Sequence, residues 1–253
     1  AQFSTRSNNI DAFAGTGSVS ITSRGQQKEI EGSARIALDC KPPFHRMFLI
    51  EGKRRYAKAL EQLRSGADAG SEIDVIHGDA NVELPQILAA LDPARDRAVV
   101  FLDPYGMSVN WTTLESIART QLVDLWYLFP LSGLYRNAPN DAKAISLDKE
   151  AALNRMLGTD RWRTEFYETS PQLGMFGDDP DEVRVADVSS ISRWVTRRLK
   201  DVFPEVLAPK ILYQQRQSGK HGAALFALFF AIANPRPEAR GLAVKIAKHV
   251  LND

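Results

Sequence analysis

Apolar residues fall in short runs separated by longer periodic stretches. The runs at 46–50 (Arg-Met-Phe-Leu-Ile), 73–76, 98–102 and 122–129 are too short for helices and predict strands; an earlier strand ends near Ile10 to Phe13. The runs at 98–102 and 122–129 are apolar at nearly every position, as strands covered on both faces of a parallel sheet must be. Between the strands, apolar residues recur at helical spacing. Leu84, Ile87, Leu88 and Leu91 share one face of a helix over 82–91, and helices are also predicted over 29–38, 53–63 and from Thr112 to about Gln121. Thr112 and Glu115 have capping-box spacing, and the polar stretch 19–27 reads as a loop.

The alternation breaks over 131–188. Here a helix is expected from Ser146 to Leu157, with Gly158 as its stop, then another over 160–167 and an acidic Gly/Pro-rich loop over 174–182. An amphipathic helix over 190–203 follows, with Ile191, Trp194, Val195, Leu199 and Val202 inward. Strands at 210–217 and 223–233, joined by Ser218 to Gly222, predict an antiparallel hairpin, and a helix over 237–251 closes the chain. The expected fold is α/β and Rossmann-like: five parallel strands, a C-terminal antiparallel hairpin and a helical insertion. In domain terms, 1–130 is a ligand-binding half, 131–188 an insertion or lid, and 189–253 the completion of the same domain.

Composition narrows the classes. At 253 residues, 44% apolar and 25% charged, the chain reads as a soluble globular protein. The single cysteine, Cys40, excludes an internal disulfide and a multi-cysteine metal centre, and the four histidines lack ligand spacing, so no metal is expected. No secretory leader or membrane-length apolar run is visible, which points to the cytoplasm and no membrane partner. The chain does not begin with Met and enters its first strand almost at once, so upstream residues are expected to be missing. Charge is uneven: 184–253 carries twelve Lys and Arg against five Asp and Glu, while 1–183 carries 20 against 26. A basic C-terminal region with Arg216, Lys220, Arg236 and Arg240 would meet a nucleic-acid backbone, or merely solvate helix faces.

The candidate chemistry lies where the predicted strands end. Asp11-Ala-Phe13-Ala-Gly15-Thr-Gly17-Ser18 places a carboxylate at the end of a buried strand and then two glycines, the pattern of a loop that lets a ligand approach bare amides. Glu51 ends strand two, where it would accept the hydroxyls of a ribose or serve as a helix N-terminal acid. Asp79, with Ala80 and Asn81, follows strand three as an adenine contact or a helix cap. Asp103-Pro104-Tyr105-Gly106 at the tip of strand four offers an acceptor, a rigid turn and an aromatic face, suited to a planar amine.

This order of segments is similar to class I S-adenosylmethionine-dependent methyltransferases. More narrowly, Asp-Ala-Phe-Ala-Gly-Thr-Gly, the Gly-Ser-Ala-x-x-Ala-Leu stretch at 32–38, Phe-Leu-Ile-Glu, Gly-Asp-Ala-Asn and Phe-Leu-Asp-Pro-Tyr-Gly together resemble the three-Cys-motif partner protein family. That family usually carries a helical segment before the first strand. The resemblance implies S-adenosylmethionine as cofactor, with Gly15 and Gly17 at its methionine moiety, Glu51 on the ribose and Asp79 at the adenine. Asp103, Pro104 and Tyr105 occupy the place of the Asp/Asn-Pro-Pro-aromatic motif of amino-methylating enzymes. The second Pro is missing, which brings the stretch nearer the Asp-Pro-Phe-Gly of tRNA guanine-N2 dimethyltransferases. Two other classes remain open: a non-catalytic partner protein using 131–188 to bind another protein, and a nicotinamide dehydrogenase. The last lacks the third glycine of its fingerprint, since position 20 is Ser20.

Overall fold

The computed structural model describes residues 5–23, 26–67, 70–169, 182–215 and 221–252. Strand β1 (Arg6–Asp11) lies at the centre of the main sheet. After its glycine turn the chain forms β2 (Ser18–Ser23) and β3 (Gln26–Glu31), an antiparallel pair outside that sheet. The loop expected over 19–27 is therefore a hairpin, and the helix expected over 29–38 shrinks to α1 (Ser33–Leu38) behind Gly32. The reason is local: Ser18, Ser20 and Thr22 alternate with Val19 and Ile21, a period-2 pattern that needs no apolar run when the strand stands off the core.

The predicted alternation then holds. It runs through β4 (Arg46–Glu51), α2 (Arg54–Ser65), β5 (Glu72–His77), α3 (Ala80–Ala89), β6 (Asp96–Leu102), α4 (Trp111–Thr120) and β7 (Val123–Phe129). Helix α4 departs from expectation at its start. It is capped by Asn110 with no side-chain cap bond, so Thr112 and Glu115 form no capping box. The start is set by tertiary contacts instead, since Trp111 is buried.

Between 131 and 188 lie α5 (Leu131–Asn137), α6 (Leu147–Leu157), α7 (Trp162–Phe166) and a small antiparallel pair, β8 (Tyr167–Thr169) with β9 (Glu182–Arg184). Ser146 caps α6, and Gly158 ends it at φ +68°, where an added Cβ would strike the Trp111 ring. The acidic stretch expected over 174–182 lies outside the described residues, apart from Glu182. Helix α8 (Val188–Lys200) starts two residues before expectation because Asp187 and Ser190 form a capping box. Then come β10 (Glu205–Val206), β11 (Lys210–Gln215), β12 (His221–Ile232) and α9 (Pro237–Asn252).

Strands β5, β4, β1, β6 and β7 lie side by side, each parallel to its neighbour. Strand β12 runs antiparallel along β7, and β10 and β11 pair with its far edge. The alternation of side chains along β4 shows how the faces divide: Phe48 and Ile50 join Ile10, Val100, Leu125 and the inner sides of α3 and α4, while Met47 and Leu49 meet Ala34 of α1 and Leu60 of α2. The first of these cores continues without interruption into Leu153, Trp162, Phe166 and Trp194, so residues from the 131–188 segment share it with the sheet. Phe230 and Ile232 are covered by Ala247 of α9.

Candidate functional site

Strand order reverses at β1: the next strand of the main sheet, β4, lies on one side of it and β6 on the other. Ligands of open α/β sheets sit at such a switch point, outside the carboxyl ends of the strands. Register places the carboxylates there. Asp11 is level with Leu49 on β4 and with Phe101 on β6, so Glu51 and Asp103 each lie two residues further along, on the same pleat face as Asp11.

Asp11 is 2% exposed. Its Oδ1 accepts the Phe13 N–H at 3.2 Å, and its Oδ2 accepts the Ser33 hydroxyl from the start of α1. Burial pushes its carboxyl up to about 6 against those hydrogen bonds, and the neighbouring charges of Asp103 and Glu51 push the same way. Beyond Asp11, the Ala12 N–H bonds Phe101 O at 3.1 Å and the Ala14 N–H bonds Ile50 O at 3.0 Å, so the chain leaves between the two neighbouring strands.

The two turn glycines differ in use. Gly15 has φ +62°, and a Cβ there would meet nothing within 4 Å; this is the open floor a ligand needs. Gly17 has φ +77°, but a Cβ there would come within 2.8 Å of Leu63 on α2. Its carbonyl accepts the Gly32 N–H at 2.9 Å and closes the base of the β2–β3 hairpin, from which Ser18 departs opposite Glu31. Gly17 thus serves packing, and Gly15 is the glycine that faces open space.

Glu51 is buried, and both its oxygens are engaged: Oε2 accepts the Gly15 N–H at 3.0 Å and Oε1 the Lys53 N–H at 2.7 Å. It fastens the glycine turn to the tip of β4, and each oxygen keeps one further acceptor direction. Asp79 is exposed and caps α3, accepting both the backbone N–H and the side-chain amide of Asn81. Ala80 is buried beside it. The Asn81 side chain uses its full capacity. Its Nδ2 donates to Asp79 and to Ser108 O at 2.8 Å, while its Oδ1 accepts from Asn110 N at 2.9 Å and Thr113 Oγ1 at 2.8 Å. Asn81 therefore ties the start of α3 to the start of α4 and holds the loop that follows Asp103.

Asp103 makes no hydrogen bond or ion pair among the described residues, and partial burial raises its carboxyl above the ordinary range. Pro104 is buried, and Gly106 turns the chain at φ +60°. Tyr105 is 57% exposed. Two residues missed by sequence reasoning join it: Lys53 Nζ lies 4.4 Å from the Tyr105 ring centre and 5.0 Å from that of Tyr56, beside Arg55, which bonds the Tyr56 hydroxyl. The Tyr105 phenol is raised, chiefly by burial and then by the charges of Glu51, Tyr56 and Asp103. Residue spacing carries no sign of this contact, because Lys53 and Tyr105 belong to different strand-end loops.

The edge thus gathers Asp11, Gly15, Glu51, Asp103 and Tyr105, with Asp79 at its β5 side. Gly17 and the Asn81 side chain are turned into packing. Among the described residues, no group of three or more His, Cys, Asp or Glu is placed to hold a metal ion, and no helix is long and apolar enough to cross a membrane. Of the C-terminal cations singled out in the sequence, Arg216 and Lys220 lie outside the described residues, and Arg240 is held by Glu205 at 3.8 Å and Pro204 O at 3.3 Å.

Five parallel strands whose order reverses at β1, with an antiparallel strand beside the last, define a Rossmann-like sheet. No family model and no curated protein matches the chain. Among solved structures, it is similar to a Legionella pneumophila protein of the family DUF519 at 10% identity and TM-score 0.53, over 98% of this chain and 85% of that one. It is also similar to a Methanosarcina mazei protein described as a SAM-dependent methyltransferase, at 13% identity and TM-score 0.33, over 92% of each chain. At these identities the first likeness concerns the fold alone.

Proposed function

We propose that the chain is an S-adenosylmethionine-dependent methyltransferase acting on an exocyclic amine of a nucleic acid or a nucleotide-like substrate. One observation carries the reading: Asp103, a carboxylate without a partner among the described residues, adjoins the exposed Tyr105 at the carboxyl edge that also holds the open turn at Gly15. The motif resemblance to the three-Cys-motif partner family supports it.

The residues present fit the cofactor. Gly15 offers bare backbone with nothing where a Cβ would stand, and Asp11 places negative charge behind the turn formed with Phe13, Gly17 and Ser18. The remaining acceptor directions of Glu51 suit two ribose hydroxyls, and the free oxygen of Asp79 with the backbone of Ala80 and Asn81 suits an adenine edge. Bound there, S-adenosylmethionine would supply a methyl group already activated by its sulfonium. The protein's task is then placement more than proton transfer.

Asp103 would accept one N–H of the substrate amine and the Pro104 carbonyl the other, which would orient the nitrogen lone pair towards the cofactor side, and Asp103 would take the proton that the methylated amine sheds. Tyr105 would stack on the base, with the Lys53 ammonium already lying over that ring. Acceptance requires ionised Asp103. Because its carboxyl is raised, activity should fall as pH drops through that raised value and be complete above it.

The test is transfer of labelled methyl from S-adenosylmethionine to RNA, DNA and protein pools by wild type and Asp103→Ala. Label should enter nucleic acid. The variant should lose about a hundredfold or more while cofactor affinity changes only a few-fold. A large loss of cofactor affinity would reassign Asp103 to cofactor binding, and label entering protein alone would overturn the substrate class.

A further inference from the structure

A second feature lies on the flank of the sheet beyond β12. Helix α8 and strand β11 enclose a groove of about 760 Å³. One wall is a cationic stripe: Arg193, Arg197 and Lys200 stand at i, i+4 and i+7 on α8, all exposed, spanning roughly 10 Å of helix. The other wall is apolar and aromatic, with Ile211 and the 40% exposed Tyr213.

The charge on the stripe is only partly compensated. Lys200 makes no hydrogen bond or ion pair among the described residues. The guanidinium of Arg193 donates to the Ser189 hydroxyl at 2.7 Å, and Arg197 has Glu165 at 3.6 Å. The one acid on the described lining, Asp187, caps α8 through Ser190 and also feels the charge of Arg193, so it offsets the stripe at its first turn and leaves the Lys200 end the more cationic. Ser192, 6% exposed, also lines the groove, and its buried hydroxyl has no partner among the described residues.

Register shows where the groove leads. Ala227 of β12 is level with Phe129, the last residue of β7, while Tyr213 pairs with Ala224, further out on the carboxyl side. The opposite end of β12 pairs with Glu205, just after α8 has ended. The groove therefore runs from the edge that carries Asp103 down the side of the molecule. Strands β6, β7, β12 and β11 are successive neighbours, so the mouth at Tyr213 lies three strand spacings, about 14 Å, across the sheet from β6 and five residues, about 17 Å, further along the strand direction than Leu102.

We propose that this groove docks the phosphodiester backbone of a single-stranded nucleic acid, with the Arg193–Arg197–Lys200 stripe on successive phosphates and Tyr213 against a base, so that a base a few nucleotides away reaches Asp103. A cationic wall facing an aromatic and apolar one is the composition of surfaces that hold single strands. The inference rests on the methyltransferase reading for its orientation, but the docking itself does not depend on methyl transfer.

The experiment is fluorescence anisotropy with short end-labelled RNA and DNA single strands, titrated at several salt concentrations. Three proteins are compared: wild type, the Arg193→Gln/Arg197→Gln/Lys200→Gln variant, and a Lys245→Gln/Lys248→Gln control on the exposed side of α9. At about 0.1 M salt the groove variant should bind at least about tenfold more weakly, and its slope of log K against log[salt] should shrink by about 2, at roughly 0.7 per phosphate contact. The control should bind like wild type, and the RNA and DNA arms decide which strand is preferred. Equal binding by the groove variant, or an equal loss in the control, would overturn the proposal. So would preferential binding of an acidic peptide such as oligoglutamate, which would make the groove a protein-docking surface. Each protein is also melted with and without S-adenosylhomocysteine. If the ligand shifts none of them, the cofactor reading fails while the anisotropy still judges the groove.

Discussion

Replacing Asp11 by Asn should stabilise the ligand-free protein while weakening cofactor binding. Asp11 is almost fully buried, and burial is the largest reason its carboxyl moves from 3.8 to about 6. Two units at about 1.4 kcal/mol each put the cost of keeping it ionised near 3 kcal/mol at neutral pH. An amide is nearly isosteric: its oxygen still accepts the Phe13 N–H, and its NH2 meets the Ser33 hydroxyl, which turns to accept. The expected gain is about 2–3 kcal/mol, or roughly 5–10 °C in melting temperature for a chain of this size.

The pH dependence fixes the cause. Above about pH 6 the folded protein carries the whole cost of the charge; below about pH 4 the carboxyl is protonated in both folded and unfolded states and the cost is gone. The stability difference between Asp11→Asn and wild type should therefore be near zero at about pH 4, grow up to about pH 6, and stay level above it. Asp124, also pushed to about 6 by burial, gives both proteins the same trend and cancels in the difference. Urea unfolding across this range measures it. A variant less stable than wild type at pH 7, or a difference independent of pH, would refute the account of Asp11 as a charge held at a cost for a ligand.

The two turn glycines should separate ligand from fold. Gly15→Ala should lower stability by about 1 kcal/mol but sharply reduce cofactor affinity, because its Cβ enters open space at the turn. Gly17→Ala should cost more, about 2–3 kcal/mol, through its positive φ and the clash with Leu63, and Leu63→Ala should recover part of that loss. Asn81→Ala removes four hydrogen bonds and leaves buried groups unmet at the start of α4; about 2–4 kcal/mol should be lost in urea titration. Methyl transfer should then fall more than cofactor affinity does, since the loop after Asp103 loses its tie.

Much of the sheet was legible because its central strands are continuous apolar runs between turn residues. Met47 to Ile50 has both pleat faces in the core, and Ala98 to Leu102 has one face buried with Val99 and Phe101 half-buried on the other; such runs have few alternatives. The β2–β3 hairpin was missed for the converse reason: its alternation is carried by Ser, Val, Ile and Thr, without an apolar run to mark it. At the site, the convergence of Asp11, Glu51 and Asp103 could be read from strand ends, since parallel register brings those ends together. What each residue does there could not. Whether a glycine faces a ligand or a leucine, whether Asn81 faces an adenine edge or another helix, and whether Lys53 lies over Tyr105 depend on contacts far apart in sequence.

The central claim is a sulfonium cofactor at the carboxyl edge, and its most direct test is a melting comparison with S-adenosylmethionine, S-adenosylhomocysteine, NAD and no ligand. A ligand at about 100 times its dissociation constant adds roughly 2.7 kcal/mol, which at 2–4 °C per kcal/mol raises the melting temperature by about 5–10 °C. The account predicts that shift with both sulfur ligands, none with NAD, and its loss in Gly15→Ala. A shift with NAD alone, or none with any of the three, would contradict it.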